Sequence, residues 1–248
     1  MGSLRKYLTA FLIIPITTFF AICAGFGCLS FDKRVPTWIM QTWAKVILKV
    51  GGVTLDIEGL AHAESDRPAI YMANHASMID IPVLVAALPV HLRFIFKKSI
   101  LWVPFLGQAI WAMGMIPIDR GNRQKASASL HKAGERIRGG YHVLIFPEGT
   151  RTHDGSLLPF KKGGFRLALM EHVDIVPITI SNSAWVCGRN SMLARPGRIK
   201  VVVHPRVDTA KLSMENRQQV TEHIRDIIGS ALPAPTEAKR RRASEGAA

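Results

Sequence analysis

The stretch Ala69-Ile70-Tyr71-Met72-Ala73-Asn74-His75-Ala76-Ser77-Met78-Ile79-Asp80-Ile81-Pro82 decides how this 248-residue chain reads. A short apolar run of strand length gives way to a polar cluster. The cluster gives way to a proline, which suits the first turn of a helix and disrupts its interior. On one regular helix His75 and Asp80 would point about 140° apart. A helix beginning near residues 79–81 instead leaves His75 in the preceding loop, free to fold back on the carboxylate at the helix start. An imidazole with one nitrogen held by a carboxylate presents the other as a general base near neutral pH. His75 is therefore the candidate base and Asp80 its orienting partner. Ser77, the hydroxyl of the cluster, reads as a turn or capping residue.

The same grammar recurs along the chain. Apolar runs at 54–58, 69–73, 93–96, 115–118, 143–146, 175–181 and 198–203 read as strands, and segments 80–88, 105–112, 123–138, 163–172 and 213–230 as helices. Asn122 is placed to cap the helix 123–138 and Gly139-Gly140 to end it. Strands alternating with helices predict an α/β fold: a single domain with a largely parallel central sheet flanked by helices. Three strands run into polar clusters: 69–73 into residues 74–80, 115–118 into Asp119-Arg120-Gly121, and 143–146 into Pro147-Glu148-Gly149-Thr150-Arg151-Thr152. Carboxyl ends of parallel strands share one edge, where ligands bind in α/β folds, so the clusters are expected to converge on one crevice. A guanidinium at Arg120 or Arg151 would grip a phosphate there, supported by the Gly149-Thr150 amides. The competing reading is a structural ion pair, for instance Arg151 with Glu148 or Asp119. Lys97 and Lys98, which follow another strand, suit developing negative charge or an anionic surface. A metal at His75 and Asp80 would need further ligands, and the spacing of His142 and His153 recommends neither, so no metal is expected.

Composition narrows the partners. With 48% hydrophobic and 20% charged residues the chain can bury a core. Its net charge of +14 needs an anionic partner: nucleic acid, a membrane, or a phosphorylated or CoA-like substrate. No nucleic-acid module is recognisable, and the basic residues are spread over strand ends and the termini. Cys23, Cys28 and Cys187 are too scattered for a disulfide framework or a zinc site, which fits a reducing compartment. Residues 7–31 carry no charge and are bracketed by Arg5-Lys6 and Asp32-Lys33-Arg34. Roughly 25 apolar residues suffice to span a bilayer as a helix and exceed the roughly 7–15 of a cleavable leader's apolar region. Pro15 and Thr17-Thr18 leave a single span and a re-entrant hairpin both open. The next segment places Gln41, Lys45 and Lys49 on one stripe and Trp38 and Trp43 among aliphatic residues, an amphipathic helix from Pro36 to the stop at Gly51-Gly52 that suits a membrane interface. The expected organisation is a membrane-associated helical segment over 1–52, the α/β domain over 53–231, and a disordered tail over 232–248 with Lys239-Arg240-Arg241-Arg242.

The polar clusters carry a family resemblance. Residues 74–80 resemble the H-x4-D motif of the glycerolipid acyltransferases, Gly114-Met115-Ile116-Pro117-Ile118-Asp119-Arg120 their second motif, residues 146–152 their third, and Val176-Pro177-Ile178-Thr179-Ile180 their fourth. The resemblance implies transfer of a fatty acyl group from acyl-CoA or acyl carrier protein to the 2-hydroxyl of lysophosphatidic acid, giving phosphatidic acid in phospholipid synthesis. It implies no cofactor beyond the acyl donor. His75 is then the general base with Asp80 its partner, and Arg120, Glu148, Gly149 and Arg151 belong to acceptor binding, joined by Asn74, Ser77 and Thr150. Lys97 resembles a family lysine that helps stabilise the oxyanion, and Ser99 stands where relatives often carry glutamate. The implied location is the cytoplasmic side of a bacterial inner membrane, beside anionic lipid. Two other readings stand: the same chemistry on glycerol-3-phosphate, a lysophospholipid or a lyso-aminolipid, and a non-catalytic membrane lipid-binding module.

Overall fold

The computed structural model describes residues 2–233 apart from 31, 33, 65–66, 120–122, 189–190 and 192–193, and side chains from residue 11 onward apart from those at 123–126. The expected cap Asn122, the candidate Arg120 and nearly all of the expected tail lie outside the described residues.

The strands are β1 (Val53–Glu58), β2 (Ile70–Ala73), β3 (Leu92–Lys97), β4 (Ile116–Ile118), β5 (His142–Ile145), β6 (Ile175–Ser181) and β7 (Gly197–Val203). Among the described residues they form one sheet in the order β1-β7-β6-β2-β5-β3-β4, parallel throughout except where β7 runs antiparallel to β6. β2, β5 and β6 are buried along their whole length, as parallel strands covered on both faces must be, and for that reason they read as unbroken apolar runs.

The helices are α1 (Gly2–Gly27), α2 (Arg34–Gly51), α3 (Asp80–Ala87), α4 (Leu106–Ala112), α5 (Arg123–Arg138), α6 (Gly163–Glu171), α7 (Ser183–Val186) and α8 (Arg217–Ser230). They sort onto the two faces by the alternation of the strands. Tyr71 and Ala73 of β2 join a core with Met40, Ala44, Leu84 and Ile110 of α2, α3 and α4. Ile70 and Met72 point the other way, into a core with Ala133, Phe165 and Ile224 of α5, α6 and α8.

Element edges differ from expectation where capping overrides periodicity. α2 starts at Arg34 rather than Pro36, because the Arg34 amide donates to Asp32 Oδ1 at 2.8 Å and proline within the first turn forfeits no hydrogen bond. α8 starts at Arg217, after a 3-10 turn Met214–Asn216 that Ser213 and Asn216 cap reciprocally. α7 is too short to leave a periodic signal. At the N-terminus α1 and α2 pack on each other, and α1 also packs on α4. Trp43 Nε1 donates to Thr17 Oγ1 at 3.2 Å, and Ala21 and Ala24 are buried. Among the described residues no helix is long and apolar enough to cross a membrane.

Candidate active site

The loop between β2 and α3 holds its shape through a single oxygen. Asp80 is the first residue of α3 and fully buried, and its Oδ2 accepts from His75 Nδ1, the Ala76 amide and the Ser77 amide, each at 2.8 Å. Its Oδ1 is buried with no hydrogen-bond partner among the described residues. An ionised carboxylate only accepts, so Nδ1 carries the imidazole proton and Nε2 keeps its lone pair. The ring stacks on Phe146 with centroids 4.0 Å apart and planes at 18°, which fixes the direction Nε2 faces.

The loop after β5, the neighbour of β2, pins the backbone of His75 on both sides. Glu148 Oε1 accepts from the His75 amide at 2.7 Å and Oε2 from the Leu158 amide at 3.0 Å, while the Thr152 amide donates to the His75 carbonyl at 2.9 Å. Glu148 is 2% exposed, and burial pushes its carboxyl up to about 7, only partly offset by the two amides. Gly149 sits at φ 67°, a conformation that L side chains rarely adopt, and the Lys161 side chain lies across it.

Three residues expected to bind substrate are engaged internally. Asn74 acts as a peptide mimic, donating to the Ile180 carbonyl at 2.9 Å and accepting from the Ile180 amide at 2.7 Å, which ties the end of β2 to β6. Ser77 donates to the Cys187 carbonyl at 2.5 Å and accepts from the Ile79 amide. Both, like Glu148, are at least nine-tenths buried. Sequence shows that a polar side chain stands after a strand; it does not show that a neighbouring backbone has already taken its hydrogen bonds.

Thr150 and Arg151 are half-buried at the same turn as Gly149, and Arg151 lies close enough to act electrostatically on Cys187. Lys97 is exposed at the end of β3, next to β5, and Asp119 is half-buried beyond β4. His142 lies at the start of β5, the opposite edge of the sheet from His75, where burial drives it down to about 4. Two participants had no signal of function in the sequence: Phe146, which read as the end of a strand, and Lys161, which stands between the third polar cluster and the helix expected at 163–172.

Beside the site an apolar cavity of about 300 Å³ lies between the N-terminal helices and the sheet. Met78, Ile79 and Pro82, from the loop and helix start that also carry His75 and Asp80, line it together with residues of α1, α2, β3 and α4. An imidazole that can take a proton, set by a cavity fit for hydrocarbon and a turn bearing cations, suits attack of a hydroxyl group on an acyl donor.

Comparison with known proteins agrees. The family model described as Acyltransferase matches residues 54–181. A 1-acyl-sn-glycerol-3-phosphate acyltransferase of Limnanthes alba is 34% identical over 190 residues, which cover 76% of this chain and 67% of that protein. Its counterpart from Salmonella typhimurium is 32% identical over 182 residues, 71% of this chain and 72% of that protein. The crystal structure of the 1-acyl-sn-glycerophosphate (LPA) acyltransferase PlsC from Thermotoga maritima shares the fold, with a TM-score of 0.79 at 22% identity over 98% of both chains.

Proposed function

The chain belongs to the acyltransferase family, and we propose that it moves a fatty acyl group from a thioester donor to the sn-2 hydroxyl of lysophosphatidic acid, forming phosphatidic acid. The observation that carries this reading is the 2.8 Å hydrogen bond between His75 Nδ1 and Asp80 Oδ2, set in a loop that also walls an apolar cavity. His75 Nε2 takes the proton of the acceptor hydroxyl as its oxygen attacks the thioester carbonyl. Asp80 holds the tautomer and stabilises the imidazolium that forms. Collapse of the tetrahedral intermediate breaks the carbon–sulfur bond, and the imidazolium returns its proton to the departing thiolate. A thioester is already activated, so no acyl-enzyme is needed. Ser77, whose hydroxyl is engaged with Cys187, is a loop tie and not a nucleophile.

Arg151 receives the acceptor phosphate at the Gly149-Thr150 turn, with Lys161 adding charge beside it, while the Gly149 amide is engaged with the Phe146 carbonyl. Lys97 stabilises the developing oxyanion, and Arg120, which lies outside the described residues, is assigned to acceptor binding. Acyl chains lie in the apolar cavity. The donor is acyl-CoA or acyl carrier protein, and no cofactor takes part.

The protein works on the cytoplasmic face of a bacterial inner membrane. Support comes from α1 and α2, which present Phe11, Ile14, Phe19, Phe26 and Trp38 to the outside, and from the three free cysteines. The test is detergent-purified protein given a panel of lyso-acceptors with both thioester donors, the products identified by mass. Transfer to lysophosphatidic acid is the expected result; exclusive use of another acceptor overturns the assignment, and the donor that reacts identifies itself.

A further inference from the structure

Between β3 and α4 the chain makes a 3-10 turn, Lys98–Trp102, and then a tight reversal into the helix. The Leu106 amide donates to the Pro104 carbonyl at 2.7 Å across Phe105, whose φ of 62° and ψ of −47° define a γ-turn of the rare, strained hand. A bulky residue is costly there, and such strain persists only where surrounding structure imposes it. The turn packs directly on α4: a side chain at Gly107 would meet the Leu101 carbonyl oxygen.

This arrangement gives residues 98–112 two apolar faces. The inner one, with Ile100, Leu106 and Ile110, lines the cavity. The outer one holds Trp102 at 84% exposure, Phe105 at 54% and Trp111 at 68%. Nothing among the described residues covers these rings, and a folded protein seldom leaves a group of large aromatics in water.

We propose that residues 98–112 form a second membrane contact, in which Trp102, Phe105 and Trp111 sit in the lipid interface while the opposite face walls the cavity, so that acyl chains pass from bilayer to cavity without crossing water. The partner is a lipid surface for three reasons. Tryptophan favours the headgroup level, where its ring is half in hydrocarbon and its N–H remains hydrated. Exposed Lys98 stands at the head of the segment, as suits anionic lipid. α4 also packs on α1, whose apolar outer face is the membrane side in the function proposed above, so the segment is continuous with the helix that makes the first contact. The contact rests on that membrane reading but not on the identity of the acceptor.

Full-length protein bound to phosphatidylcholine vesicles containing phosphatidylglycerol, with and without brominated acyl chains, tests it. The emission lost in W102F, obtained by subtraction in each vesicle, is the emission of Trp102. Bromine is expected to quench that component by at least about half, and the Trp111 component from W111F likewise. A Trp102 component that bromine leaves unchanged overturns the proposal, whether the ring then faces water or a second copy of the chain. W38F gives the same subtraction for α2, so loss of the N-terminal membrane contact is read separately from loss of this one. In W102E, turnover of vesicle-borne long-chain substrates is expected to fall about tenfold, with turnover of water-soluble short-chain substrates unchanged. Equal turnover of vesicle-borne substrate by W102E and the parent protein overturns the access role.

Discussion

Asp80 puts three hydrogen bonds on one oxygen and none on the other, and the asymmetry separates its two roles. In D80N the carbonyl oxygen can take the place of Oδ2 and keep all three bonds, with the amide nitrogen where Oδ1 had no partner. The loop stays in place while the charge that stabilises an imidazolium is lost. D80N is expected to melt close to the parent protein and to lose about 10²-fold or more in kcat; H75A should lose about 10²–10⁴-fold, the usual contribution of a general base. Near-parent turnover in a folded H75A protein would remove His75 from the chemistry. Glu148 allows a test by pH. Its folded pKa of about 7 lies above the ordinary 4.5, so the folded state holds the proton more tightly than the unfolded state. Stability from this group is full below the unfolded value and declines as pH rises through the folded one, by up to about 1.4 kcal/mol per unit. E148Q cannot ionise and lacks this slope. The stability of the parent protein relative to E148Q should therefore fall between pH 5 and pH 7 in thermal melts, and a constant difference would contradict the raised pKa.

At the scale of elements, the strands could be read from the sequence because parallel strands buried on both faces are continuous apolar runs of limited length. β6 spans residues 175–181 as expected, and the other strands fall within a residue or so. The helix start at Asp80 was legible because Pro82 tolerates few positions in a helix. What could not be read was the traffic between loops. The hydrogen bonds from the His75 amide to Glu148 and from Asn74 to Ile180 join residues 73 and 106 positions apart, and no local pattern encodes them. The cavity is likewise a product of packing, since α1, α2, α3, β3 and α4 all contribute to it. Ala109, on the inner face of α4, lines it, and A109F should fill part of it. The expected outcome is at least about a tenfold loss of kcat/KM for long-chain thioesters relative to short ones, measured over a chain-length series. An unchanged profile would place the acyl chain elsewhere.

Across the whole molecule, in the membrane reading proposed above, the +14 charge and the apolar N-terminal helices would act together, one long-ranged and screened by salt, the other contact-bound and indifferent to it. Vesicle binding should weaken as salt is raised yet persist through the apolar contacts of α1. Removal of residues 234–248, which carry a net +2, should reduce the salt-sensitive part alone, as flotation at low and high salt would show. The sequence by itself determined the α/β class, the identity of the strands, the meeting of His75 with Asp80 and the apolar character of the N-terminus. These follow from short-range physics: side-chain periodicity, the geometry of proline, and the reach of one side chain across a turn. Only the tertiary structure decided that Asn74, Ser77 and Glu148 hold loops together, that Lys161 lies over Gly149, and that the segment after β3 turns one apolar face to the cavity and another outward. Each of those depends on which backbone groups are brought within hydrogen-bonding distance and which surfaces are left uncovered, and that is settled by the packing of elements distant in the chain.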